Sequence, residues 1–168
     1  MRFCKMKNEK DHLPLYGIGP ALCWPMAVLS AVGIYLSAKR IIPGAVENKT
    51  VRAVMTVLGV LLIIEGLLLF FGADLNGKLQ DNIKQNKLKT DGSYRYVRNP
   101  CYCLFLLGCT GALLIAHNPV LLVLPVVFYI WMTVILKNTE EKWLKDLYGE
   151  AYTEYCRRVN RCIPWLPR

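Results

Sequence analysis

Two adjacent carboxylates, Glu140 and Glu141, stand just past an apolar run in "LKNTEEKW". A basic, aromatic stretch, "DGSYRYVRNPCY" from Asp91 to Tyr102, stands just before another apolar run. Two adjacent acids at a helix mouth, opposite a basic and aromatic loop, make a charged site at the lipid boundary. Each feature also has a plainer account. Glu141 and Lys145 have the i, i+4 spacing of a surface ion pair on a helix. The tyrosines, with Arg95 and Arg98, have the composition of an aromatic and basic belt at lipid phosphates. That belt does not explain Gly92, which permits a tight turn, or Pro100, which suits the first position of a helix.

One further acid, Glu65, lies inside "LLIIEGLLLF". A carboxylate within an apolar span is costly unless paired or protonated. Glu65 is therefore expected to face the interior of a helix bundle. There it would either line a substrate cavity or hydrogen-bond a neighbouring helix as the protonated acid. The seven cysteines include no Cys-x-x-Cys pair, and His12 lies far from His117, so no metal site is expected.

The elements that must position these residues read as membrane spans. The chain has 168 residues, enough for one domain, and 54% of them are hydrophobic, yet its formal net charge is +9. Basic loops between apolar blocks suit a bilayer partner, and the absence of a continuous basic stripe argues against nucleic acid. Four segments reach or approach spanning length: Gly17–Ala38, Ala53–Ala73, Cys101–Ala116 and Pro119–Leu136. The last two are separated only by "HNP", so they form a tight hairpin in which Asn118 and Pro119 break the helix. The N-terminal tail, the 74–100 segment and the C-terminal tail are rich in Lys and Arg, and the "HNP" turn has none. The positive-inside rule then places both termini in the cytoplasm, with Lys39, Arg40, Lys49 and Arg52 dissenting from the far side.

Two polar segments carry the pattern of interfacial helices. In "ADLNGKLQDNI", Leu75, Leu79 and Ile83 make a narrow apolar stripe. In "TEEKWLKDLYGEAYTEYCRRV", Thr139 is the expected N-cap and Gly149 is expected to divide two short helices. The expected fold is all-α: a polytopic membrane protein of about four transmembrane helices, with a third–fourth hairpin and cytoplasmic interfacial helices. Residues 1–168 form a single integral-membrane domain.

"GSYRYVRNPCY", a helical hairpin, and then "TEEKWLKDLYGEAYTEYCRRVNRCIP" together resemble the isoprenylcysteine carboxyl methyltransferase and phospholipid methyltransferase superfamily of integral-membrane enzymes. That superfamily reads roughly G-P-Y-x-x-x-R-H-P-x-Y, two spans, E-E and a tail of spaced Phe, Gly, Tyr, Arg and Pro. Gly92, Tyr94, Arg98, Pro100 and Tyr102 match the first block; Glu140, Glu141, Gly149, Tyr152, Tyr155, Arg161 and Pro164 match the second. The match covers about the C-terminal half. Ser93, Asn99 and Tyr148 replace the usual Pro, His and Phe. Asn99 can hydrogen-bond a cofactor but cannot carry a proton at neutral pH.

The resemblance implies methyl transfer from S-adenosylmethionine at the cytoplasmic membrane face, to a lipophilic or small acceptor bearing a carboxylate, amine or thiol, or to a quinone-like lipid. It implies catalytic roles for Glu140, Glu141 and Arg98. Cofactor contacts would come from Tyr94, Arg98, Asn99, Tyr102, Glu140 and Glu141, and acceptor contacts from Glu65 and Tyr152. Residues 1–73 would then be the acceptor side and 74–168 the cofactor half. Two other classes stay open: a non-catalytic protein that anchors lipid headgroups, and a membrane reductase of similar helical architecture. The oligomeric state is left open.

Overall fold

The computed structural model describes residues 18–73 and 87–164. Its helices are α1 (Gly19–Ala38), α2 (Lys49–Ala73), α3 (Pro100–Ile115), α4 (Val123–Asn138), α5 (Glu140–Tyr148) and α6 (Glu150–Arg158). Single 3-10 turns cover Gly92–Arg95 and Pro119–Leu122. Among the described residues the only β-type pairing is a parallel bridge between Val97 and Asn160. The expected interfacial helix around Leu75, Leu79 and Ile83 lies outside the described residues.

Among the described residues three segments are long and apolar enough to cross a membrane: Gly19–Ala38, Lys49–Ala73 and Pro119–Tyr148. The expected third span, Cys101–Ala116, is an apolar helix, Pro100–Ile115, of only 16 residues, about 24 Å of rise. Large apolar side chains stay exposed along α2 and α4, including Leu58, Leu61, Leu68, Val126, Ile130 and Val134. Apolar residues all round a helix suit a lipid solvent, where exposing Leu or Val carries no penalty.

α3 is the hub, packing on α2 along one side and on α1 and α4 along others. Glycines bring α2 and α3 into backbone contact. A Cβ on Gly59 would sit 2.6 Å from the Gly111 carbonyl oxygen, and one on Gly66 would sit 3.2 Å from Leu104 Cα. Small residues at such crossings let dispersion and backbone proximity replace the hydrophobic effect that lipid cannot supply.

The "HNP" turn forms as expected, and its polar atoms are satisfied by the α1–α2 loop. Asn118 is wholly buried. Its side-chain amide donates to Ser37 Oγ (3.0 Å), Ile42 O (3.3 Å) and Pro43 O (3.4 Å), while its Oδ1 accepts from Val120 N. His117 adopts φ +56° and its ring meets Thr56 Oγ1 at 2.8 Å. The expected cap at Thr139 does not form: its hydroxyl donates back to Ile135 O at 2.7 Å, because α4 still offers that carbonyl. Gly149, at φ +58°, separates α5 from α6 as its sequence position implies.

Candidate functional site

The starts of α1 and α3 and the junction of α4 with α5 meet at the face opposite the "HNP" turn. Gly19 lies against the Tyr102 ring, since a Cβ there would be 3.6 Å from it. Glu140 Oε1 accepts from Tyr102 Oη (2.5 Å) and from the Ile18 backbone N–H (3.1 Å). This carboxylate therefore ties three helices together at the head of α1, where an unpaired N–H and the helix dipole favour negative charge.

Glu141, one residue on, faces elsewhere. It accepts from Arg161 through Nε (2.5 Å) and Nη2 (2.8 Å), a two-point carboxylate–guanidinium contact, and forms an ion pair with Arg98 Nη2 at 3.3 Å. The three side chains are only 12%, 19% and 9% exposed, for Glu141, Arg161 and Arg98 in turn. Its hydrogen bonds to Glu141 hold the Arg161 guanidinium above its usual range, against a burial that pulls it down. The alternative surface pair of Glu141 with Lys145 does not form, because the carboxylate turns inward to two arginines. Arg98 also donates to Cys156 Sγ through Nη1, and its Nε is buried without a partner.

Arg161 reaches this cluster because the tail runs alongside the "RNP" stretch. Arg98 N donates to Asn160 O (2.8 Å) and Asn99 N to Arg161 O (3.2 Å). The Asn99 side chain also donates to Arg161 O (3.1 Å), and Cys103 Sγ donates to Cys162 O (2.9 Å). Asn99 thus holds the tail in register. The turn that carries Tyr94 is wedged against α2: a Cβ on Gly92 would lie 2.5 Å from Gly72 O, and Gly92 has φ +59°. Tyr155 Oη donates to Tyr94 O (2.6 Å), and Lys89 Nζ lies 5.9 Å from the centre of the Tyr94 ring. That ring face therefore already attracts a cation.

Two expected acceptor contacts are placed differently. Tyr152 is 3% exposed, in a cluster with Tyr155 and Val159 backed by Leu88, Leu144 and Tyr148. Burial pushes its hydroxyl pKa upward. Its position is that of a core residue locking α5, α6 and the 87–97 segment together. Glu65 does not face the bundle interior; it is exposed on the flank of α2, because the α3-facing stripe is taken by Met55, Gly59, Gly66 and Leu69. Arg161 and Cys156 touch the arginine cluster without having been singled out as site residues by their chemistry. Arg161 did leave a signal, its place in the R-x-x-P tail. Beside the cluster lies a cavity of about 230 Å³ lined by Tyr129, Asn160, Arg161, Cys162 and Ile163.

The sequence profile of the phospholipid methyltransferase family matches residues 54–151. Methanethiol S-methyltransferase 1 of Bradyrhizobium diazoefficiens is 33% identical over 79 residues, covering 47% of this chain and 27% of that protein. Protein-S-isoprenylcysteine O-methyltransferase of Schizosaccharomyces pombe is 33% identical over 85 residues, covering 50% of this chain and 36% of that protein. A longer alignment, 26% identical over 148 residues, joins 85% of this chain to 74% of protein-S-isoprenylcysteine O-methyltransferase A of Arabidopsis thaliana. The chain therefore spans only about a quarter to a third of the first two relatives' own lengths. No solved structure gives a significant match.

Proposed function

The chain belongs to the phospholipid methyltransferase family, and on that premise we propose that it transfers a methyl group from S-adenosylmethionine to a lipophilic or small acceptor at the cytoplasmic face of a membrane. The observation that carries the reading is the buried Arg98–Glu141–Arg161 cluster, which holds two cations against one anion and leaves Arg98 Nε unpaired. An orphaned, buried guanidinium donor beside the Tyr94 turn fits a ligand that has a carboxylate at one end and a cationic centre further along. When bound, such a donor supplies a methyl carbon on a sulfonium that an acceptor lone pair takes in one displacement, the C–S electron pair returning to sulfur.

The chain's own residues then have separable duties. Arg98 would hold the donor carboxylate, and Glu141 with Arg161 keeps that guanidinium at fixed orientation. The Tyr94 ring, which already draws Lys89, would offer an electron-rich surface to the cationic centre. Glu140 orders the head of α1 and the Tyr102 hydroxyl, closing the site on the α1 side, and Asn99 keeps the tail from peeling away. Chemistry of this kind needs positioning and exclusion of water more than proton transfer, which is consistent with Asn99 in place of an ionisable histidine.

Calorimetric titration of the solubilised protein with S-adenosylmethionine tests the reading. Arg98→Lys keeps the charge but loses the fork, and should weaken donor binding about tenfold or more, the loss expected for one charge-assisted hydrogen bond. Equal binding by wild type and Arg98→Lys, or no binding by either, overturns it.

A further inference from the structure

The four cations that dissent from the charge rule, Lys39, Arg40, Lys49 and Arg52, have no part in the methyl-transfer reading. All four are exposed. Lys39 and Arg40 follow the last residue of the Gly19–Ala38 span, and Lys49 opens the next. They therefore lie where both spans leave the membrane, on the face of the "HNP" turn. Glu47 is the only acid between residues 39 and 52, so four cations against one acid leave a charge of +3. Among the described residues no carboxylate pairs with any of the four. Uncompensated positive charge at a membrane boundary attracts anionic headgroups.

The backbone that carries these cations is fixed to the turn at both ends. On the α1 side, the buried Asn118 amide donates to Ser37 Oγ (3.0 Å). Arg40, at φ +57°, then bends the chain, and its N–H donates to Ser37 O (2.9 Å). Val46 N donates to His117 O (2.8 Å), which seats the middle of the loop on the turn. On the α2 side, Asn48 Oδ1 accepts from Thr50 N (2.9 Å) and Val51 N (3.2 Å), and Thr56 Oγ1 meets the His117 ring at 2.8 Å. Arg52 stands one helical turn before Thr56 and so rises on the flank that faces the turn. The cations also alternate with exposed apolar surface. Tyr35, Ile41 and Val51 are 59%, 65% and 44% exposed, and Lys39 Nζ lies 5.8 Å from the centre of the Tyr35 ring. Tyrosines with one wet and one apolar end belong at headgroup level.

We propose that Lys39, Arg40, Lys49 and Arg52 form a collar around the "HNP" turn that binds the headgroup of an anionic phospholipid. The proposal goes beyond methyl transfer and stands without it: the lipid sits on the face opposite the Arg98–Glu141–Arg161 cluster and does not react. Its phosphate oxygens meet the ammonium groups of Lys39 and Lys49 and the guanidinium forks of Arg40 and Arg52, which suit paired oxygens. Its acyl chains lie against Tyr35, Ile41 and Val51, so a lipid is favoured over a soluble anion. A zwitterionic headgroup brings its own cation, which the collar repels. The bound lipid braces the α1–α2 loop over the uncharged turn.

Native mass spectrometry of the full chain in nonionic detergent, titrated with phosphatidylglycerol or phosphatidylcholine, gives the Kd of the first lipid retained. Wild type should hold phosphatidylglycerol about tenfold or more tighter than phosphatidylcholine. One cation near a headgroup is worth about fivefold in affinity. Lys39→Gln with Arg40→Gln, or Lys49→Gln with Arg52→Gln, should therefore raise the phosphatidylglycerol Kd about 25-fold. The charge-keeping pair Lys39→Arg with Lys49→Arg should retain the preference. Lys137→Gln with Lys145→Gln, both exposed on the opposite face, should leave it unchanged. Should a collar variant misfold, wild type at rising salt decides instead, because screening should weaken phosphatidylglycerol and spare phosphatidylcholine. Equal retention of the two lipids, a Kd within twofold of wild type in both collar pairs, an equal loss in the Lys137–Lys145 pair, or salt-independent binding would overturn the proposal. Displacement of phosphatidylglycerol by inorganic phosphate would overturn it too, as the mark of a soluble-anion site.

Discussion

Replacing Glu141 by Gln separates what the arginine cluster does for the fold from what it does for a ligand. The substitution keeps shape and removes the single anion that faces two guanidiniums. Breaking a buried pair by removing one partner costs about 3–5 kcal/mol, chiefly through the charge left behind. Here Arg98 and Arg161 retain 9% and 19% exposure, so water relieves part of that penalty and the lower end, about 3 kcal/mol, applies. Removing Arg161 instead, as Arg161→Met, leaves Glu141 with Arg98 and should cost less, about 1–2 kcal/mol. The double variant should cost little more than Glu141→Gln alone, a coupling of about 1–2 kcal/mol between residues in contact. Unfolding in mixed micelles of rising denaturing-detergent fraction gives these differences. Limited proteolysis should show the 158–164 segment cut faster in Glu141→Gln, because the Arg161 side chain is one of its tethers, beside Asn99 and Cys103. Additivity within about 0.5 kcal/mol, or a loss below about 1 kcal/mol for Glu141→Gln, would refute the idea that this buried carboxylate organises the cluster.

Three further substitutions probe the scaffold. Gly92→Ala introduces a Cβ 2.5 Å from Gly72 O at a residue with φ +59°; it should cost about 1–3 kcal/mol and lower donor affinity by shifting the Tyr94 turn, read by unfolding and titration together. Gly59→Ala places a Cβ 2.6 Å from Gly111 O and 2.8 Å from Ile115 Cγ1; forcing α2 from α3 should cost about 1–3 kcal/mol and raise cysteine-labelling rates at Cys103. Asn118→Ala strands Ser37, Ile42 and Pro43 acceptors in a fully buried turn; a loss of about 1–3 kcal/mol is expected, with donor binding unchanged because the turn lies on the opposite face.

Sequence alone determined the parts of this protein that depend on neighbours along the chain. Apolar runs of spanning length, the Asn118–Pro119 break, Pro100 at the head of α3 and Gly149 between α5 and α6 all follow from local composition and backbone preference. The spaced blocks around Arg98 and Glu141 also marked where chemistry would gather. Tertiary structure decided which way each of those residues faces and whom it meets. Glu140 and Glu141 are adjacent in sequence, yet one secures the head of α1 while the other binds two arginines. Glu65 sits in an apolar run that reads as interior but faces outward, and Tyr152 fits a family pattern but fills a core. The reason is rotational phase. In a helix apolar on every side no periodicity reveals which stripe will pack, so the choice falls to the glycine contacts between α2 and α3 and to the tail laid beside Asn99, both set by residues far apart in sequence.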